Sequence, residues 1–315
     1  MLKVLNTLNL ETCKDSLKVF EGIAHVDTIK DDYDEVLNNI EKYDAYLSAL
    51  TVKIDKKILN NAKKLKVIGS PSTGTDHLDK EHMKKLNIKW FDISKEYQLI
   101  NSFTATAELG FGLLLMLIRK IDIATQATKK GLWEREKYTG VQLYNKTYGI
   151  LGLGRLGKIS SKIANGFGMK VIAHDKLDIK LSNVNMVSFD ELVSKSDFLS
   201  IHIHLTKENE NIINDTVFNN MKPSSILINT ARGKLIDENA LLNALKSKKI
   251  KGAVLDLIDG EWDSNILSHK LIQYSKFNSN LVISPHIGGA TIESINGARV
   301  FMINKIAEYL KNNLI

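Results

Sequence analysis

Apolar positions along this chain follow two periods, and the two alternate. In the first hundred residues, short apolar runs recur: "KVLN", "IAHV", "AYLSAL", "KVIGS" and "IKWFD". Between them stand stretches such as "DDYDEVLNNIEKY", "DKKILNNAKKL" and "DKEHMKKLN", whose apolar residues repeat at helical spacing. Strands buried on both faces read as unbroken apolar runs, whereas a surface helix keeps one apolar stripe. Strand and helix in this alternation predict a parallel sheet covered on both faces. A long helical stretch is expected next, from about Thr104 towards Lys130.

From "KTYGILGLG" a second alternation starts, with "GMKVIAHD", "FLSIHIH", "SSILINT", "IKGAVLD" and "LVIS" as strands. The residues after "GGAT" read as one helix with Thr291 as N-cap and Ile292, Ile295, Met302, Ile306 and Leu310 on one face. No repeat, low-complexity tract or Pro/Gly linker interrupts the pattern, so the restart alone sets a boundary near residue 100. The expectation is an α/β protein of two doubly wound parallel-sheet domains. A length of 315 residues agrees, at roughly 150 residues per domain.

Composition narrows the classes. With 43% hydrophobic and 25% charged residues, the chain has ample material for a core. The net charge of +7 comes from lysines scattered through helical stretches, which reads as a solvated surface. No basic stripe interleaved with aromatics is present, so no nucleic-acid partner is expected, while an anionic small substrate fits. The most apolar run, "LGFGLLLMLI" at 109–118, is about half of the roughly 20 residues a membrane span needs. It is expected as a buried or interface helix, and no membrane partner is expected. The N-terminus "MLKVLNTLNL" lacks the continuous apolar core of a signal peptide. Cys13 is the one cysteine, which excludes an internal disulfide and points to a cytoplasmic location.

Two patterns carry chemistry. "GILGLGRLGKISSKIANGFGMKVIAHD" sets Gly152, Gly154 and Gly157 in G-x-G-x-x-G spacing between a strand and an amphipathic helix, and Asp175 ends the next strand. Gly152 permits a tight turn, Gly154 lets backbone approach a pyrophosphate, and Gly157 lets helix and strand pack closely. The free N–H groups of the helix start then face the phosphates. Asp175 would accept from the ribose 2′-hydroxyl, which favours NAD, with Lys176 beside it weighing slightly the other way. The second pattern lies downstream: "ILINTARG", "AVLDLIDGEW" and "LVISPHIGG" deliver Arg232, Asp256, Glu261 and His286 just past apolar runs. Ligands of open α/β sheets bind at the carboxyl ends of strands, so these residues point at the cofactor turn.

"GLGRLG", "NTARG", "LD" with Glu261 five positions on, and "PHIGG" together resemble the signatures of the D-isomer-specific 2-hydroxyacid dehydrogenases. "STGTDHLD" at 72–79 resembles that family's substrate-carboxylate loop, and "TAELGFGLLL" at 106–115 its interdomain and dimer helix. The likeness covers nearly the whole chain and is nearest to short phosphoglycerate-dehydrogenase-like members without a regulatory domain. It implies a Rossmann NAD-binding domain (101–289) inserted into a flavodoxin-like substrate-binding domain (1–100 and 290–315), and a homodimer. By the same resemblance, Arg232 would grip the substrate's carboxylate and carbonyl oxygen as a planar fork. His286 would be the general acid and base at that oxygen, with Glu261 on its other nitrogen. A carboxylate beside an imidazole favours the charged ring. Arg155 and Leu156 would lie along the pyrophosphate. His202, His204, Thr206, Thr230, Ala231, Asp256, Gly288 and Gly289 would line the rest of the cofactor site. Amides of Thr73 and Gly74 would take the substrate carboxylate, with Gly74 shaping an anion nest. Pro71 and Pro285 stiffen the approaches to two of these loops.

The chain also departs from that pattern. Trp262 follows Glu261 where the family usually has proline, and His204 stands where proline is usual. His202 and His204, two apart on a strand, would share a face, yet no third ligand of suitable spacing is visible and no metal is expected. "SKEYQLINSF" at 94–103 is longer than the usual connection and offers Lys95 and Tyr97 as substrate contacts; Arg135 in "GLWER" is a candidate to reach a neighbouring subunit's site. The leading expectation is an NAD-dependent dehydrogenase that interconverts a 2-keto acid and a D-2-hydroxy acid. An NAD(H)-sensing corepressor-like binding protein of the same fold is the alternative. Formate- or phosphite-oxidising chemistry fits "STGTDHLD" less well.

Overall fold

The computed structural model describes residues 1–263 and 265–314, in two compact units. One comprises Met1–Phe103 with Thr291–Ile315, the other Thr104–Ala290. Each is built on one parallel sheet.

In the first unit, β1 (Leu2–Asn6), β2 (Ala24–Thr28), β3 (Ala45–Leu47), β4 (Val67–Gly69) and β5 (Lys89–Phe91) stand in the order β2-β1-β3-β4-β5. This is the flavodoxin-like order. Successive strand residues face opposite sides, and both sides are apolar. Val4, Ala45, Leu47 and Val67 meet the C-terminal helix, Ile292–Asn313, through Met302, Ile303, Ile306 and Leu310. Leu5, Tyr46 and Ile68 pack on the other side against Val36, Ile40, Ile58, Leu59 and Met83. The N-cap is Thr291, as expected, accepting from the Ser294 N–H at 3.3 Å. The buried face differs from the expected one at its start: Ser294 and Ala298 replace Ile292, the first residue of the helix, which is 71% exposed. The 94–103 segment is not a bare connection. It forms a short helix, Tyr97–Ile100, that buries Ile100, and Glu96 pairs with Lys305 at 3.1 Å. Lys95 and Tyr97 are exposed.

The second unit holds β6 (Thr147–Leu151), β7 (Lys170–His174), β8 (Asn185–Met186), β9 (Phe198–Ile201), β10 (Ile226–Asn229), β11 (Gly252–Leu255) and β12 (Leu281–Ile283), in the order β12-β11-β10-β9-β6-β7-β8. The order reverses between β6 and β9, the kind of switch point where α/β sheets open a crevice. The two-residue β8 is too short for an apolar pattern to announce it. One layer packs Phe111, Leu114 and Ile118 onto Tyr148, Ile150, Ile228 and Val254; the other packs Leu192, Phe218 and Leu241 onto Leu199, Ile201, Leu227 and Leu255. The expected helix from Thr104 to Lys130 is two helices, Ala105–Ile118 and Ile121–Lys129, parted where Lys120 turns left-handed at φ 55°. The apolar run 109–118 is largely core, its Phe111 ring stacked on Tyr148 at 4.9 Å.

The C-terminal helix touches the backbone of β4 directly, since a Cβ on Gly69 would lie 2.8 Å from Met302 Sδ and Ile306 Cγ1. Met302→Ala should therefore cost about 2–5 kcal/mol of stability, measured by urea unfolding; a smaller loss would mean that the helix settles into the vacated space.

Candidate active site

Parallel pairing sets the strand ends of the second unit in one row. His174 pairs with Leu151, Leu151 with Ile201, Ile201 with Asn229, Asn229 with Leu255, and Leu255 with Ile283. One residue further along each strand come Asp175, Gly152, His202, Thr230, Asp256 and Ser284. Five of these six are residues singled out from sequence; Ser284 is not.

The glycine turn divides its glycines by purpose. Gly152 has φ 96°, and a side chain there would strike the His202 carbonyl at 2.9 Å. A Cβ on Gly157 would fall 2.1 Å from the Gly152 carbonyl oxygen, so glycine is what lets the helix Arg155–Gly166 meet the turn. Gly154 differs: nothing lies within 4 Å of its added Cβ, and the residue is exposed. Nothing in the protein itself demands glycine there, and a close-lying phosphate would. Asp175 braces the turn, its Oδ2 accepting from the Leu153 N–H at 2.7 Å and its Oδ1 from Leu177 N–H at 3.0 Å. Arg155 and Leu156 are half-buried in the first turn of the helix, and Lys176 is exposed.

His202 and His204 do not lie on a strand. β9 ends at Ile201, and the chain beyond it is irregular. His202 Nε2 contacts Ser200 Oγ at 2.9 Å, and burial pulls its imidazole down to about 4. His204 is exposed, and its carbonyl accepts from Asn209 Nδ2 at 2.6 Å while Asn209 Oδ1 takes the Thr206 N–H at 2.7 Å. Buried Asn209, unmarked by any sequence motif, thus shapes the loop that bears His204 and Thr206.

Past β10, buried Asn229 forms the turn that presents Arg232. Its Oδ1 accepts from Ala231 N–H at 2.9 Å and its Nδ2 donates to the Arg232 carbonyl at 2.8 Å. Thr230 is buried at the strand end and Ala231 packs on the apolar core. A Cβ on Gly233 would sit 2.4 Å from Asp259 N, so this turn lies directly on the loop following β11.

That loop carries Glu261. Gly260, at φ 70°, and Asp263 close a turn through an Asp263 N–H to Gly260 carbonyl bond of 2.9 Å. Buried Glu238, also missed from sequence, anchors the loop from below: Oε1 accepts from Asp259 N–H at 2.9 Å, and Oε2 pairs with His269 Nε2 at 3.0 Å. Both Glu261 oxygens reach His286 Nδ1, at 2.9 and 3.0 Å, and the two side chains are only 20% and 25% exposed. His286 itself is left-handed, φ 54°, a conformation that costs a residue with a side chain about 1 kcal/mol. Asp256, 1% exposed, holds it there. Its backbone carbonyl takes the His286 N–H at 2.6 Å, and its carboxylate takes Ser284 Oγ (2.6 Å), Ile287 N–H (2.9 Å) and Gly288 N–H (2.7 Å). Burial pushes the Asp256 carboxyl up while those donors hold it down. Gly288 is required, since a Cβ would lie 2.8 Å from Asp256 Oδ2; Gly289 has open space around it.

In the first unit the Gly74 N–H of the Thr73–Gly74 loop donates to Ser72 Oγ at 3.2 Å. An anion would have to displace that bond. Ser72 holds the loop by accepting from Ile93 N–H at 3.1 Å, and Ser70 Oγ contacts His77 Nε2 at 3.2 Å.

Residues 111–288 match the family model described as the D-isomer specific 2-hydroxyacid dehydrogenase, NAD binding domain. The chain belongs to the D-isomer-specific 2-hydroxyacid dehydrogenase family. It is 35% identical to a glyoxylate reductase of Thermococcus litoralis over 89% of this chain and 84% of that protein. It is 33% identical to a D-3-phosphoglycerate dehydrogenase of Methanocaldococcus jannaschii over 100% of this chain, which spans 58% of that protein's length. The fold superposes on the D-lactate dehydrogenase of Aquifex aeolicus, solved with NAD and lactic acid, with a TM-score of 0.85, 26% identity, and coverage of 99% of this chain and 96% of that one.

NAD is the cofactor of this family, and the residues present fit it: an exposed Gly154 with open space where a Cβ would be, a helix start behind it, and a carboxylate at the end of β7. Gly154→Ala should leave the melting temperature unchanged yet weaken NADH binding by tenfold or more in a fluorescence titration, whereas Gly157→Ala should lower both. Equal NADH affinity in Gly154→Ala would contradict the phosphate reading. A second expectation follows from His202. Its pKa is depressed from 6.5 in the folded protein, so the neutral ring stabilises the fold above about 6.5, and that stability drains away on acidification towards about 4. The loss should reach roughly 2–3 kcal/mol. His202→Asn should show a shallower acid dependence in urea unfolding; an identical slope would refute the assignment.

Proposed function

We propose that this chain interconverts a 2-keto acid and a D-2-hydroxy acid, with His286 as the general acid and base. The observation that carries the reading is the double contact of Glu261 with His286 Nδ1 at 2.9 and 3.0 Å, at strand ends shared with the glycine turn. Glu261 takes the Nδ1 proton, which leaves Nε2 as the ring atom that exchanges a proton with substrate. Bound NADH supplies the hydride for reduction and NAD accepts it in the reverse direction. During reduction, Nε2–H protonates the keto oxygen, and the imidazolium becomes a neutral ring. During oxidation, neutral Nε2 removes the hydroxyl proton, and Glu261 stabilises the imidazolium that forms. Arg232, at the neighbouring strand end, offers a planar fork for the carboxylate and carbonyl oxygens, a geometry lysine lacks.

The relatives named as reductases and dehydrogenases favour an enzyme over a corepressor-like sensor. The loop "SPSTGTD" at 70–76 holds no arginine for a distal phosphate, which supports a small unphosphorylated acid over a phosphorylated one. A homodimer is part of this reading. Its support is the apolar surface of Ile121, Leu132 and Trp133, the last 87% exposed, on and just after the second helix of this unit. The free thiol of Cys13 suits a reducing, cytoplasmic setting.

NADH oxidation should be detectable with at least one member of a panel spanning glyoxylate, hydroxypyruvate and pyruvate-like 2-keto acids. His286→Ala should lower kcat/KM by about 10²–10⁴-fold. No turnover across the panel, or full activity in the variant, would overturn the assignment.

A further inference from the structure

Glu261 and Trp262 are the two central residues of the turn closed by Gly260 and Asp263, and both reach His286. Glu261 meets the imidazole edge at Nδ1. Trp262 covers its face: the two ring centroids lie 5.9 Å apart, with the planes inclined by 29°. The indole is 53% exposed, so it is not a core residue drawn in by burial.

We propose that Trp262 is a positioning residue for the acid, its indole face favouring the charged His286 ring and fixing the ring's orientation. This rests on the reading of His286 as the acid. The indole face carries the negative side of the ring quadrupole, and a cation within about 6 Å of it is attracted. The imidazole alternates between neutral and charged forms, so a face contact that prefers the charged form raises the fraction of loaded acid at a given pH. Of the other charged groups, Glu261 bonds the ring at Nδ1, Asp256 bonds the backbone of the His286 loop, Asp259 and Asp263 lie on the tryptophan's own loop, and Arg232 follows β10. The indole contribution must therefore be read as a difference between variants at position 262.

The test is a proton NMR titration of the His286 Cε1–H, assigned by its loss in His286→Gln, in the full-length protein. Trp262→Leu should lower the midpoint by roughly half a pH unit, and Trp262→Phe should restore most of it. The alkaline limb of kcat/KM for keto-acid reduction should move down by the same amount in Trp262→Leu. An unchanged midpoint in Trp262→Leu, or an equal drop in Trp262→Phe, would overturn the proposal. The NMR arm does not depend on turnover. A shifted midpoint without keto-acid reduction would support the stack and remove only the enzymatic reading, while turnover with a fixed midpoint would do the reverse.

Discussion

Asp256 is almost wholly withdrawn from water, and a carboxylate so placed must find donors or lose its charge. Three donors answer it, all on the one loop of residues 284–288, and the backbone carbonyl of the same residue takes a fourth. This single constraint explains how His286 keeps a left-handed backbone that it would not choose alone. It explains why Gly288 cannot bear a side chain, and why Pro285 is tolerated: its missing N–H has no partner to forgo among the bonds at that end of β12. Charge-assisted hydrogen bonds are stronger than neutral ones, so the loop is held stiffly. An acid that must meet a small carbonyl benefits from such stiffness more than from any added contact.

The parallel register supplies the second constraint. Because each strand is paired in step with its neighbours, the first residue past each strand falls in a common row. Residues as distant in sequence as Gly152 and Ser284 therefore come to one edge without any direct bond between them. Turn chemistry then decides how far each side chain reaches from that edge. Asn229 shapes the turn of Arg232, Asn209 the loop of His204 and Thr206, and Glu238 the loop of Glu261. These three are buried polar residues, each bonded to the backbone of the loop it shapes. They form a supporting layer beneath the residues that would face substrate and cofactor.

Much of this was legible in the sequence. Apolar runs located eleven of the strands, because strands buried on both faces must be continuously apolar, and only β8 escaped. The glycine spacing, and the charged residues standing just past apolar runs, pointed to one edge of the second sheet, where the structure places them. The supporting residues were not legible. Asn209, Asn229, Glu238 and Ser284 look like ordinary polar residues in a chain with many, and only three-dimensional neighbours show that they are buried and fully engaged. The break at Lys120 was also hidden, since lysine is a good helix former and only packing makes the chain turn there.

What the sequence determined by itself is the class of fold, which follows from periodicity, and the family, which its motifs resemble and the comparisons show. Tertiary structure decided the rest. It showed that the Gly74 N–H is engaged by Ser72, that His202 turns inward to Ser200, and that Trp262 lies over the ring of His286. It also gave Asp256 its place as the anchor of the acid's loop. The physical reason is common to all four. Burial and hydrogen-bond partnership are properties of neighbours brought together from distant parts of the chain, and no local pattern encodes them.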